Sequence, residues 1–212
     1  MDRKTRARHL IAVLGELYPQ VRCTLDFETP LQLLVATQLA AQCTDARVNI
    51  VTKTLFAKYR TVEDYASAAL DELEEDIRST GFFHNKARNL KACAMTLLTR
   101  HGGEVPRTLE ALTALPGVGR KTANVVLGTC FGVPGVIVDT HAGRLARRMG
   151  LTRAEDPAEV ERDLMKILPK SEWTDFSHRL VYHGRAVCGA RMPKCLSCAA
   201  RPYCVTGQKA IE

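Results

Sequence analysis

Lys121 stands two residues beyond a Gly-Val-Gly turn, and Asp139 sits directly before another helical pattern. A lysine amine is the group required for imine chemistry at a carbonyl-like carbon. A carboxylate at a helix N-cap accepts amide hydrogen bonds, and the positive end of the helix dipole favours its charge. The turn itself, Leu115-Pro116-Gly117-Val118-Gly119-Arg120-Lys121-Thr122, ends one apolar helical run (Leu109, Leu112, Leu115) and opens a second (Thr122, Ala123, Val125, Val126, Leu127). Glycine amides that lead into a helix N-terminus form an anion site suited to a phosphate; an ordinary helix–turn–helix corner uses the same residue types. A Gly/Pro loop between Lys121 and Asp139 is long enough to reverse the chain, which would set the amine and the carboxylate on facing helix starts. A third group is the quartet Cys188, Cys195, Cys198 and Cys204, in a loop broken by Gly189, Pro193 and Pro202. One Cys-x-x-Cys knuckle with two wider flanks suits thiolates wrapping an iron–sulfur cluster, while structural zinc and disulfides stay open on spacing alone.

The elements that must position these groups are helical. Apolar stripes at i, i+3, i+4 run through residues 3–18 (Ala7, Leu10, Ile11, Leu14, Leu17), and Thr29-Pro30 opens an almost wholly apolar run from Leu31 to Ala41. Gln38 and Gln42 are polar exceptions in or beside that run. Thr44-Asp45 and Thr61-Val62-Glu63-Asp64 read as helix starts, and a short acidic helix begins at Asp71. Gly81-Phe82-Phe83-His84-Asn85 is a break with two exposed-looking aromatics; the helix after it points Ala87, Leu90, Ala94, Leu97 and Leu98 inward and Lys86, Arg88 and Lys91 outward. Val136-Ile137-Val138 is an extended connector. Further helices fit Asp139 to Met149, residues 156–168 and residues 171–187, and no segment alternates over a strand's length. The expectation is an all-α fold of about ten helices.

The 212 residues are 46% hydrophobic and 6% aromatic, enough for a core of Leu, Val and Ala. A formal net charge of +7 suits a polyanionic partner. No apolar run approaches the roughly 20 residues of a membrane span, and the basic N-terminus leads into an amphipathic segment rather than a signal-peptide core. An intracellular protein is expected, so eight cysteines point to a metal site rather than disulfides. Cys23, Cys43, Cys93 and Cys130 lie scattered in apolar contexts, as small hydrophobes do. Arg144, Arg147 and Arg148 share one helix face, to be read as solvated or as a backbone-contact face. His141 reads first as structural, and His178 and His183 show no partner pattern.

Together these features resemble the endonuclease III family of DNA glycosylases within the helix-hairpin-helix superfamily. The resemblance spans nearly the whole chain and is carried by Leu115 to Asn124, by Val138-Asp139-Thr140-His141 and by the cysteine quartet. It implies a six-helix barrel domain over residues 24–133, with the hairpin at about 109–131, and a helical [4Fe-4S] cluster domain formed by residues 1–23 and 134–212. The active-site cleft is implied to lie between them. It further implies that Lys121 forms a Schiff base, that Asp139 is the catalytic aspartate, and that Cys188, Cys195, Cys198 and Cys204 hold the cluster. Gly117, Val118, Gly119, Arg120, Arg144 and Lys194 would contact DNA. Gln42 matches the family glutamine that fills the gap left by a flipped base, Phe82 stands where relatives carry a leucine wedge, and His84 stands where asparagine is common. Ala40 replaces a usual serine. Asp45 and His141 would border the base pocket. The implied activity is excision of oxidised pyrimidines from damaged double-stranded DNA, followed by strand cleavage by β-elimination, by a monomer in the cytoplasm or nucleoid. Other readings are a monofunctional mismatch glycosylase, an abasic-site lyase with narrow base excision, and a non-enzymatic hairpin module. Relatives of the first kind lack a lysine at this place, and the last has no use for a Lys–Asp pair.

Overall fold

The structure, a computed structural model, describes residues 1–210. Twelve α-helices run through them: α1 (Arg3–Leu17), α2 (Pro30–Leu39), α3 (Asp45–Lys58), α4 (Val62–Ser67), α5 (Leu70–Ile77), α6 (Phe83–His101), α7 (Leu109–Thr113), α8 (Arg120–Phe131), α9 (Thr140–Met149), α10 (Pro157–Ile167), α11 (Trp173–Ala186) and α12 (Val205–Gln208). Three single 3₁₀ turns and one isolated bridge, Cys188 to Pro193, complete the regular structure of the described residues. The all-α expectation holds. The count exceeds about ten because α12, at four residues, is too short to show a 3.6-residue stripe.

The chain forms two compact units. Cys23–Val133 carries α2 to α8; Met1–Arg22 joins the described residues from Pro134 onward to carry α1 and α9 to α12. Ala7, Leu10 and Leu14 on one face of α1 are fully buried among Leu145, Leu164, Phe176 and Leu180, which ties the first helix to the C-terminal part of the chain. In the other unit Leu33, Leu34 and Leu39 of α2, Leu55 of α3, Leu97 of α6 and Leu112 of α7 are buried. Truncating any one of these leucines to alanine would cost about 2–5 kcal/mol.

Short polar residues start the helices. Thr29, Thr44, Thr61, Thr108, Asp139 and Asp156 each accept a first-turn amide, and Asp64 returns the favour to Thr61 in a full capping box. Helix α8 begins at Arg120 rather than Thr122, behind Gly119, and like α5, α6 and α11 it has no side-chain cap. Arg120 and Lys121 therefore occupy its first turn.

The break before α6 is shorter than expected. Phe83 already belongs to the helix and is half-buried, so only Phe82 projects, 63% exposed. Lys86 corrects the inward–outward assignment of α6. It is buried, 6% exposed, on the same stripe as Ala87 and Leu90, because two backbone carbonyls wait there for its ammonium.

Among the described residues Gln42 (φ 54°) and Phe82 (φ 51°) are the only non-glycine residues with positive φ. The left-handed region costs an L-residue roughly 1–2 kcal/mol, and neither side chain is buried to offset it. Replacing Phe82 with glycine should therefore raise stability by up to about 1 kcal/mol, once glycine's extra unfolded-state entropy is subtracted. A lower urea midpoint for Phe82→Gly would contradict this. The opposite sign is expected at Gly150, which closes α9 at φ 77° with Val205 and Arg6 where a Cβ would lie. Gly150→Ala should cost about 2–5 kcal/mol, combining left-handed strain with overpacking, read on the same denaturation curves.

Candidate active site and cysteine centre

The glycine turn is built by packing on one side and left open on the other. Val118 is buried and its amide donates to Leu115 O at 3.1 Å. Its side chain is core and its N–H is spent, so of the turn residues expected to face DNA it is the one with least to offer. Gly117, at φ 75°, lies so close to α2 and α6 that a Cβ would sit 2.6 Å from Gln38 Oε1 and 2.9 Å from Asn89 Cβ. That explains the glycine, and it explains part of Gln38, which is 5% exposed beside the turn. At Gly119 a Cβ would meet open space, and Gly119, Arg120 and Lys121 are all exposed. The open side thus presents uncapped amides at the positive end of α8, flanked by two cationic side chains.

Lys121 has a neighbourhood of its own. Burial pushes the Cys23 thiol up, the Asp45 carboxylate pushes the same way, and the Lys121 ammonium opposes both. The Asp45 carboxylate also accepts from Thr24 Oγ1 at 2.5 Å. The base-pocket candidate Asp45 and the nucleophile candidate Lys121 are thereby brought around Cys23, which by type and spacing reads only as a small hydrophobe.

Gln42 and Phe82 lie just past the ends of two helical segments, exposed and in the left-handed conformation. His84 is also exposed, but its Nδ1 is 2.6 Å from Glu74 Oε2 and its ring lies against Phe83. It is held to the protein by a carboxylate, whereas Phe82 projects.

In the second unit Asp139 caps α9, its Oδ1 accepting from Ala142 N at 2.7 Å. Arg144, one turn further on, does not present a free guanidinium. Its Nη2 donates to Gly184 O at 3.2 Å, to Cys188 O at 3.0 Å, and lies 3.1 Å from His141 Nδ1. Burial, with the charges of Arg144 and Arg185, holds His141 below the usual histidine range against the pull of Asp139, so it is neutral at physiological pH. Arg148 makes a parallel clamp, donating to Gly189 O at 2.8 Å and Ala190 O at 2.7 Å, with Nη1 3.4 Å from Cys188 Sγ. Arg147, between them, is exposed. The arginine face expected to be solvated or to touch a backbone divides: two members hold the cysteine loop.

All four quartet cysteines are free thiols and line one pocket together with Arg148, His183, Lys194 and Gly207. The loop is closed by Cys188 N donating to His183 O, Lys194 N to Val187 O and Cys198 N to Cys195 O. Burial pushes the Cys198 and Cys204 thiols up, and the other quartet sulfurs add to the push. Four anionic sulfurs could share this pocket only with cationic charge between them. Among the described residues no group of three or more His, Cys, Asp and Glu side chains is arranged to hold a single metal ion.

His183 is the functional residue that its spacing did not announce. It is 1% exposed in the last turn of α11, with Nε2 3.3 Å from Cys198 Sγ and Nδ1 3.2 Å from the Tyr18 hydroxyl. Its only sequence signal is its place one helical turn before Cys188. Lys194, also expected to contact DNA, is exposed on the loop, and its Nζ reaches Ala186 O at 3.5 Å.

No helix of the described residues is long and apolar enough to cross a membrane. Residues 35–170 match the family model described as HhH-GPD superfamily base excision DNA repair protein. Over 208 residues the chain is 51% identical to an endonuclease III of Synechocystis sp., covering 98% of this chain and 95% of that protein. It is 47% identical to the endonuclease III of Bacillus subtilis over 92% of this chain and 90% of the relative. A solved structure of a non-covalent endonuclease III–DNA complex superposes with a TM-score of 0.94 at 48% identity, covering 99% of this chain and 98% of that one. By its hairpin, its caps and its near full-length likeness to these proteins, the chain belongs to the endonuclease III family of the HhH-GPD superfamily of base-excision DNA repair proteins.

Proposed function

We propose that this protein is a bifunctional DNA glycosylase and abasic-site lyase that removes oxidised pyrimidines from duplex DNA. The observation that carries the reading is Lys121, an exposed amine in the first turn of a helix entered through two glycines and left without a side-chain cap. The glycine-turn amides at the start of α8 hold a phosphate of the damaged strand, a contact that positions DNA without reading sequence. The target nucleotide leaves the stack, because C1′ cannot be reached within it. Gln42 and Phe82 fill the space it vacates, with His84 alongside.

The Lys121 amine then forms a bond to C1′ while the bond from C1′ to the base breaks, and the base departs with the bonding electrons and takes up a proton. Asp139 holds negative charge fixed by its cap, which stabilises the positive charge that grows on the sugar. Loss of the amine protons and opening of the sugar ring give the imine. Removal of a C2′ proton then breaks the C3′–O bond, and the 3′ phosphate leaves as the strand is cut. Lys121 is already in water, so it is stripped of solvent only when the nucleotide covers it. Asp45 and the neutral His141 are assigned to recognition of the extruded base. The damaged duplex is the partner, met by a monomer.

The quartet pocket fits a [4Fe-4S] cluster. Four thiols line one pocket, and the clamps from Arg144 and Arg148 offset negative charge on the loop. Once its sulfurs are thiolates, His183 Nε2–H donates to Cys198 Sγ and the Tyr18 hydroxyl donates to His183 Nδ1, which fixes the imidazole tautomer. When bound, the cluster supplies cross-links that order a loop presenting Arg191 and Lys194.

Borohydride in the presence of abasic duplex should trap the protein covalently on DNA, and Lys121→Gln should give no adduct while still binding; an adduct undiminished in that variant would sink the assignment. Asp139→Asn should slow base excision by about 10²-fold or more with little change in duplex affinity. Purified under exclusion of oxygen, the protein should be brown and contain four iron and four sulfide per chain, whereas a colourless protein with stoichiometric zinc would overturn the cluster.

A further inference from the structure

Helix α2 ends at Leu39, and three residues later Gln42 takes the left-handed conformation. A 3₁₀ turn ends at Thr80, and two residues later Phe82 does the same. These segments are far apart in sequence, yet one side chain reaches both. Lys86 Nζ donates to Leu39 O and to Thr80 O, each at 2.8 Å. Its own amide donates to Phe82 O at 3.1 Å, so the first turn of α6 also anchors the strained phenylalanine.

Both carbonyls lie at segment ends, where backbone acceptors lack helical partners and a cation is favoured. Burial pushes the Lys86 amine down, with the Cys43 thiol pulling the other way. A buried ammonium is a poor stabilising device, since an apolar side chain of the same length avoids the cost of desolvating a charge. What it adds is a fixed distance between two chain ends that nothing local defines.

We propose that Lys86 is a positioning residue that couples the Gln42 and Phe82 segments, so that the two side chains enter damaged DNA as one rigid pair. This rests on the reading above that both residues enter the duplex. A bridge of two carbonyls and one ammonium sets the separation of the segments, and the left-handed residues just beyond it carry the side chains outward. Without the bridge each segment is free to rearrange by relaxing its strained residue, and the pair no longer matches a single vacated base position.

The test compares Lys86→Met and Lys86→Gln with the unchanged protein on two duplexes, one with a stable abasic-site analogue and one undamaged, at a temperature well below unfolding. Both variants should keep the affinity for undamaged duplex within about twofold and lose about tenfold or more for the analogue duplex, an interaction of the size that coupled neighbours show. Lys86→Gln, which retains an amide donor, should lose less than Lys86→Met. A fluorescent adenine analogue opposite the abasic position should lose its rise in emission on binding, a signal that a merely less stable protein would still give. Equal losses on both duplexes, or no loss on either, would overturn the proposal. Gln42→Ala and Phe82→Ala separate the two levels. If neither weakens binding to the analogue duplex, the reading beneath has failed; if they do and the Lys86 variants do not, only the coupling has. Their double variant, at exposed positions with Lys86 intact, decides as well: losses that simply multiply would mean independent segments and no coupling.

Discussion

Every functional segment of this chain begins or ends a helix, and a helix end is where backbone groups lack partners. The structure meets that constraint in two opposite ways. At the start of α8, the proposed phosphate site, no side chain caps the helix behind Gly119. Where a shape must be held, a buried or half-buried cation collects the carbonyls. Lys86 does so for the ends that lead to Gln42 and Phe82, and Arg144 and Arg148 do so for the loop after α11. The same rule makes Asp139 both a structural cap and a fixed negative charge, since the cap draws on its Oδ1 and leaves the group anchored at the head of α9.

Sequence reasoning succeeded where one residue type has one local job. Threonine and aspartate caps, the glycine closing α9 and the buried stripe of α1 follow from local stereochemistry and periodicity, and they were legible. It failed where a polar side chain serves a distant partner. By residue type Lys86 belongs outside, because lysines are rarely buried; its reason for pointing inward is Leu39 O, forty-seven positions away in sequence. Arg144 and Arg148 share a helix face that looks like any basic surface, and only the fold brings Gly184, Cys188 and Gly189 beneath it. His183 was likewise unreadable, because Tyr18 and Cys198 come from opposite ends of the chain. Lys121, Asp139 and the quartet stand out by residue type, spacing and resemblance; the side chains that orient segments do not.

The cysteine centre shows why such orienting contacts matter. Thiols held in a half-buried pocket resist ionisation, and they resist it more when they stand together. A loop with that property is not a stable thiolate cage by itself; it needs donors aimed at sulfur and cations near its carbonyls. Gly207 N donates to Cys204 Sγ at 3.3 Å, Arg148 approaches Cys188 Sγ, and His183 approaches Cys198 Sγ. Two of the four sulfurs therefore have a donor from the surrounding fold and a third has an imidazole nitrogen beside it, and these contacts come from α9, from α11 and from the first turn of α12. The loop's conformation is written outside the loop.

Strain and exposure point to the same division of labour in the other unit. The fold gains nothing from a phenylalanine that is exposed and left-handed, since such a residue costs conformational energy and buries little apolar surface. A buried lysine beneath it costs desolvation as well. Two unfavourable features that converge on one pair of chain ends are hard to explain by stability, because relaxing either would make the free protein more stable. They are explained if the bound state repays them: the aromatic ring is desolvated against bases, and its segment is already in the bound conformation, so less ordering remains to be done on association. Lys121 follows the same logic from the chemical side. It is exposed in the free protein, so on the proposed mechanism its dry environment would come from the nucleotide, and pre-organisation would lie in the turn and the paired segments rather than in the nucleophile.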